Sequence, residues 1–304
     1  MMAQVFEHVT DAFQMTRSRA LNYNSGIFIS ERQAVLIDPG MFPDEIEGIK
    51  RFVIEQGVEP SIIVLTHSHW DHIFGPEHFP GVGVIAQRAF RSANCGLMNA
   101  ERRRKTLDEV ERWEEENGVR REKPFPLPMP TQTFDGSMML LLGRRPLQMI
   151  SAPGHWPDQL VVYEPEGAVL WAGDMLSDGE IPFVSHSLAA YERTLDMLKG
   201  MEIHALVPGH GRVANNSDEI ERRFSEDAAY LRELRRAVEG WVAQGSLPGD
   251  NPPISRKEIR GLSLGFTPSP RLEANLYPHR LNIETVWSEL GGKPDVAHPG
   301  WGSG

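Results

Sequence analysis

His67, His69, Asp71 and His72 are side chains that bind metals through nitrogen or oxygen, and they fall within six consecutive residues directly after the apolar run Ile62–Leu65. Alternate residues of an extended segment share a face, so His67 and His69 can converge on one ion. A helical turn after them would swing Asp71 and His72 towards a second position close by. The spacing therefore predicts two adjacent metal sites at the end of a buried strand. A helix start capped by Thr66 or Ser68 is the ordinary use of such residues. It does not account for three histidines and an aspartate together, because burying that many polar groups without partners is costly.

Three later positions share one pattern: a short apolar strand, a small residue or proline, then a potential ligand. They are His155 in Ala152-Pro153-Gly154-His155, Asp174 in Trp171-Ala172-Gly173-Asp174, and His210 in Val207-Pro208-Gly209-His210. Glycine beside the ligand lets the backbone turn sharply and approach an ion. Singly each is a common turn sequence. With the cluster they make a set of seven that can complete two sites.

These motifs, in this order, resemble the metallo-β-lactamase-fold hydrolase superfamily over roughly residues 6–215, with Asp38 in Leu36-Ile37-Asp38-Pro39-Gly40 as a further match. The resemblance implies an α/β fold, an αββα four-layer sandwich with its site at one edge. It implies a first metal on His67, His69 and His155, a second on Asp71, His72 and His210, and Asp174 bridging. It also gives Asp38 a supporting role, orienting a ligand histidine from behind. The best-known zinc β-lactamases carry a cysteine ligand in the second site. With Asp71 and Asp174 instead, this chain resembles the glyoxalase II-like, lactonase-like and related hydrolases rather than true β-lactamases.

Histidine and carboxylate ligands suit two divalent ions, zinc first, with iron or manganese as alternatives. A divalent ion lowers the pKa of bound water from about 15.7 to about 7, and a second ion would share the resulting hydroxide. The expected reaction is attack of that bridging hydroxide on a small ester, thioester or lactone, with Asp71 as the catalytic residue that orients the water and carries a proton to the leaving group. His186, in the loop after Asp174, is a candidate substrate contact, and Trp70 and Trp156 flank ligand positions. A mononuclear-iron oxidoreductase like the persulfide dioxygenases, or a nuclease or phosphodiesterase on the same scaffold, are the alternatives. His72 and His210 favour hydrolysis by completing a second site.

The elements that must position these groups are short. Strands are expected at Val5–Phe13, Gly26–Ser30, Ala34–Ile37, Ile62–Leu65 and Val82–Ala86, then at Met138–Leu142, Leu147–Ala152, Gln159–Tyr163, Ala168–Ala172 and Ile203–Val207. Helical periodicity marks Asp44–Gln56, closed by Gly57, and Leu188–Leu198, while a long helix starts at Ser217 as N-cap. Two runs of strands relieved by helices predict two sheets packed face to face. Residues 1–215 form the catalytic domain, with a helical and proline-rich insertion at about 95–130; residues 216–304 form a C-terminal helical appendage ending in a helix near Leu281–Leu290. The insertion can cover a pocket, join copies in a homo-oligomer, or stand as a solvated helix on a stiff linker.

The formal net charge of −11 over 304 residues works against nucleic acid as a partner and favours a small-molecule substrate. The arginine-rich stretches 101–105 and 232–236 are interleaved with acids and read as solvated helix faces. Cys95 is the only cysteine, which excludes an internal disulfide and suits a reducing compartment; it reads as a small core or half-buried residue. The longest strong apolar runs are strand-sized, so no membrane association is expected and the cytoplasm is the expected location.

Overall fold

A computed structural model of the chain describes residues 4–91, 100–119, 121, 126–244 and 265–291. Cys95, Pro124 and the appendage residues 245–264 lie outside the described residues. The first sheet has seven strands in sequential order: β1 (Phe6–His8), β2 (Phe13–Arg17), β3 (Asn24–Ser30), β4 (Gln33–Ile37), β5 (Glu59–Val64), β6 (Gly83–Gln87) and β7 (Gln132–Phe134). It is antiparallel from β1 to β4 and parallel from β4 to β7. The second sheet has the order β12-β11-β10-β9-β8, with β8 (Ser137–Leu142), β9 (Arg145–Ser151), β10 (Leu160–Glu164), β11 (Val169–Trp171) and β12 (Ala205–Val207). Only its β11–β12 pairing is parallel.

Strand β4 shows how the sequence builds four layers. Val35 and Ile37 face the second sheet, packing with Leu147, Leu160, Val169 and Trp171, while Ala34 and Leu36 turn to the other side and pack with helix α1 (Pro43–Glu55). Both faces of the strand are covered, so its residues read as a continuous apolar run. The outer face of the second sheet is covered by α3 (Leu188–Lys199), α4 (Ser217–Gln244) and α6 (Leu276–Glu289), the last following the short α5 (Pro270–Ala274). The result is the expected αββα sandwich with a C-terminal helical region. Among the described residues no helix is long and apolar enough to cross a membrane.

Two local expectations are corrected. The segment 5–13 is not one strand, because the Val9 and Thr10 amides both donate to the Phe13 carbonyl and reverse the chain between β1 and β2. Helix α4 is capped not by Ser217 but by Asn216, whose Oδ1 accepts from the Glu219 amide at 2.9 Å. The helix of the insertion, α2 (Ala100–Asn117), is no free-standing solvated element. It buries Val110 and lays Trp113 against Phe42 and Trp70, with ring centroids 4.9 and 5.2 Å apart.

Docking of α6 depends on a buried polar network. Nδ1 of His279, which is fully buried, accepts from the Tyr230 hydroxyl at 2.9 Å, and burial lowers the His279 pKa to about 4. An unfolded histidine titrates near about 6.5, so below that pH the unfolded chain binds the extra proton. The contribution of this histidine to stability is therefore complete above about pH 6.5 and is lost as the pH falls towards 4, to a total of about 3 kcal/mol. Urea unfolding at pH 7.5 and 4.5 should show His279→Gln losing less stability on acidification than the wild type by about that amount. Equal losses would remove His279 as the cause.

Candidate metal centre

All seven candidate ligands sit on loops that leave strands at one edge of the sandwich. β5 runs into Leu65 and Thr66, then into extended His67-Ser68-His69, and a single 3-10 turn at Trp70–His72 redirects Asp71 and His72. From the second sheet, β9 leads to His155, β11 to Asp174 and β12 to His210. The glycines in these loops have specific reasons. Gly154 holds φ +147°, and a Cβ there would collide with the Tyr191 backbone at the start of α3. A Cβ on Gly209 would strike Asp174 Oδ1 and crowd the Gly173 backbone, so a side chain there would displace the aspartate.

The ligand atoms form two groups, His67, His69, His155 and Asp174 in one and Asp71, His72 and His210 in the other, each with its atoms within 4.8 Å of one another. In the first, His67 Nε2 and His155 Nε2 each lie 3.0 Å from His69 Nδ1. In the second, His210 Nε2 and His72 Nε2 lie 3.1 and 3.5 Å from Asp71 Oδ2. Asp174 reaches both groups: Oδ2 is 3.5 Å from His67 and 3.4 Å from His155, Oδ1 is 3.2 Å from His72, and Oδ2 is 3.6 Å from His210.

Outward partners decide which nitrogen each ring presents. His155 Nδ1 donates to the Phe183 carbonyl at 2.8 Å, and His210 Nδ1 to the Leu21 carbonyl at 2.9 Å. His72 Nδ1 donates to Asp38 Oδ2 at 2.9 Å. The Thr66 hydroxyl donates to the same oxygen at 2.6 Å, which leaves its own lone pair for His67 Nδ1 at 3.1 Å. Each of these four rings is thereby oriented with Nδ1 on its outward partner and Nε2 turned inward towards the other candidate ligands. Three imidazole nitrogens, from His67, His69 and His155, and the Asp174 carboxylate gathered at such separations form a donor set of the kind that holds a cation. His72 Nε2 and Asp174 Oδ1, both buried, face each other without making a hydrogen bond of ordinary geometry. The donor set therefore fits a divalent cation.

Electrostatics separate the two groups. Burial holds His67 well below the ordinary imidazole value and lowers His155 as well, so both stay neutral at neutral pH. Burial also opposes charge on His72 and His210, but carboxylates override it. Asp174, Asp71 and Asp38 raise His72 well above its usual value, and Asp174, Glu180 and Asp71 push His210 up to about 10. Against its own burial, Asp174 is held well below the carboxylate range by His72, His210 and His67. Metal uptake by the second group would consequently displace protons and weaken in acid.

The centre opens onto a cavity of about 420 Å³. Leu21, Leu176, Ile181, Phe183 and Tyr191 give it an apolar wall, and Asn275, Tyr277 and Pro278 from the C-terminal helices complete it. Trp70 lines the cavity, backed by Trp113 of α2, whereas Trp156 packs on His69 (ring centroids 4.3 Å) and donates from Nε1 to Ser68 Oγ. His186 is exposed and does not line the cavity, so the geometry gives no support to it as a substrate contact. Sequence reasoning missed the carbonyls of Leu21 and Phe183, since a backbone oxygen leaves no mark in residue type. Positive φ at Leu21 (57°) and Asn22 (49°) is the local distortion that brings the first of them into reach.

A family model described as the metallo-beta-lactamase superfamily matches residues 19–210. The linear primary-alkylsulfatase of a Pseudomonas species is 22% identical over 239 residues, which cover 74% of this chain and 43% of that protein. Acyl-coenzyme A thioesterase MBLAC2 of Gallus gallus is 26% identical over 163 residues, 51% of this chain and 57% of the other. The chain thus spans about half the length of these relatives. Among solved structures, a metallo-beta-lactamase from Pontibacter korlensis superposes with a TM-score of 0.55 at 18% identity, over 75% of this chain and 99% of that one, a likeness of fold.

Proposed function

The chain belongs to the metallo-beta-lactamase superfamily, and from that membership we propose that it is a dinuclear, zinc-dependent hydrolase of a small ester, thioester or lactone. The observation that carries the reading is Asp174, one carboxylate within 3.6 Å of histidines in both ligand groups. His67, His69 and His155 would hold one ion, Asp71, His72 and His210 the other, and Asp174 both. Bound divalent cations supply Lewis acidity, which makes water a nucleophile at neutral pH and offsets charge developing on the attacked oxygen.

The chain's own residues do the rest. Asp71, beside His210 at the cavity floor, orients the attacking water and passes a proton to the leaving group. Asp38 and Thr66 keep the His72 and His67 rings in the tautomer that presents Nε2. The apolar wall from Leu176 to Tyr191 takes the hydrocarbon part of the substrate and keeps water from it. Glu180 adds a carboxylate to the lining beside Asp71 and Asp174, which supports a small, weakly charged substrate over nucleic acid. The complete second ligand group supports hydrolysis over mononuclear-iron oxidation, and a relative named as a thioesterase supports the thioester option. The lone cysteine supports a reducing, cytoplasmic setting.

Metal analysis of the purified protein, followed by a panel of lactones, acyl thioesters, carboxylate esters and alkyl sulfates, tests this reading. The expected result is two zinc ions per chain and turnover of one class, with His69→Ala losing both metal and activity. Turnover that survives complete demetallation would refute it.

A further inference from the structure

The loop that leads from the Asp174 segment into α3 is fastened along its length by the C-terminal helices. Asn275 Nδ2 donates to the Gly179 carbonyl at 2.8 Å, and Arg271 Nε to that of Glu180 at 3.1 Å. Glu289 accepts from the Ser187 hydroxyl and from the Leu188 and Ala189 amides at 2.9, 2.6 and 3.1 Å. Between these ends, fully buried Asn282 donates from Nδ2 to the Pro182 carbonyl at 2.7 Å and accepts on Oδ1 from the Val184 amide at 2.6 Å. The residue bracketed by those two bonds is Phe183, and its carbonyl is the acceptor that orients His155 Nδ1.

We propose that Asn282 is a positioning residue for His155, and that through it the C-terminal helices are a working part of the metal centre. The inference rests on His155 being a metal ligand. Asn282 uses both of its N–H donors and its carbonyl oxygen: its second N–H goes to the Tyr230 hydroxyl at 2.8 Å, which in turn donates to His279. An amide held this way on a helix fixes both peptide groups flanking Phe183, so the carbonyl facing His155 cannot rotate away without breaking a buried bond. Partners that orient a metal-binding histidine are typically worth about 10–100-fold in metal affinity. Asn282 acts one step further back, so the lower end of that range applies.

The test compares the full-length wild type with Asn282→Ala and Tyr230→Phe, measuring zinc affinity by chelator competition, amide exchange at Val184, melting temperature and, where a substrate is found, kcat and KM. Tyr230→Phe disturbs the same buried network but leaves both loop bonds in place. Asn282→Ala should bind zinc about tenfold more weakly and exchange Val184 faster, with kcat falling more than KM changes. Tyr230→Phe should stay within about threefold of wild-type zinc affinity even if its melting temperature drops. Unchanged zinc affinity in folded Asn282→Ala, or equal weakening in both variants, would overturn the proposal. If Asn282→Ala does not fold, Glu289→Ala, an exposed residue holding the other end of the loop, decides by the same exchange and zinc readouts. Wild-type protein that takes up no zinc would refute the metal reading itself, an outcome distinct from wild type and variants binding equally well.

Discussion

Asp174→Ala is expected to strip bound metal and to lower kcat by about 10³-fold or more, the scale of losing preorganised charge stabilisation at a reacting centre. Asp174 is the carboxylate that approaches histidines of both groups, and its charge helps raise His72 and His210. Its removal leaves five imidazoles with Asp71 as the remaining carboxylate among the seven, and takes from each cation a negative ligand that offsets its burial. Inductively coupled plasma analysis beside steady-state kinetics measures both effects. A variant that keeps two ions and most of its turnover would show that Asp174 does not bridge.

Asp38→Asn should be the next most damaging change although it alters only one atom of the carboxyl group. Asp38 holds φ +44°, a left-handed conformation that asparagine accepts better than most residues, so the backbone is preserved. Oδ1 can still accept from the Thr66 amide, as it does at 2.8 Å. The amide NH₂ that replaces Oδ2 would face the Thr66 hydroxyl and His72 Nδ1, both of which now donate to that position. Donor opposes donor, and His72 is relieved by moving its proton to Nε2, the atom a metal requires. Metal affinity of the second group should fall by about 10–100-fold, and stability by about 1–3 kcal/mol for the buried group left unsatisfied. Zinc titration with a chromophoric chelator and urea unfolding of the metal-free protein separate the two effects. Wild-type zinc affinity in this variant would mean that Asp38 serves only the β4–β5 junction.

The metal cluster is legible in the sequence because its geometry is local: residues 67–72 follow one strand, and their alternation maps directly onto faces. His155, Asp174 and His210 are legible for a different reason. Each ends an apolar run and has glycine beside it, and parallel or neighbouring strands in a sandwich deliver their ends to one edge. The two sheets and the main helices follow from periodicity, while the split of residues 5–13 into two strands does not, since it is made by backbone amides bonding to one carbonyl. The contribution of the C-terminal helices is equally silent. Asn275, Asn282 and Glu289 bond mainly to peptide groups about 100 residues away, and a side chain that recognises backbone imposes no pattern on the residue types it meets.

Ligands from both sheets meet at the centre, four from the loop after β5 and three from loops of the second sheet. An ion held by either group would therefore rivet the two halves of the sandwich together, and sliding one sheet from the other would first have to empty the centre. If ions bind only when both halves are in register, every tenfold rise of free metal above its dissociation constant would add about 1.4 kcal/mol per site to the cost of prying them apart. Mechanical and thermal endurance of the molecule would then become a function of how much metal its surroundings supply.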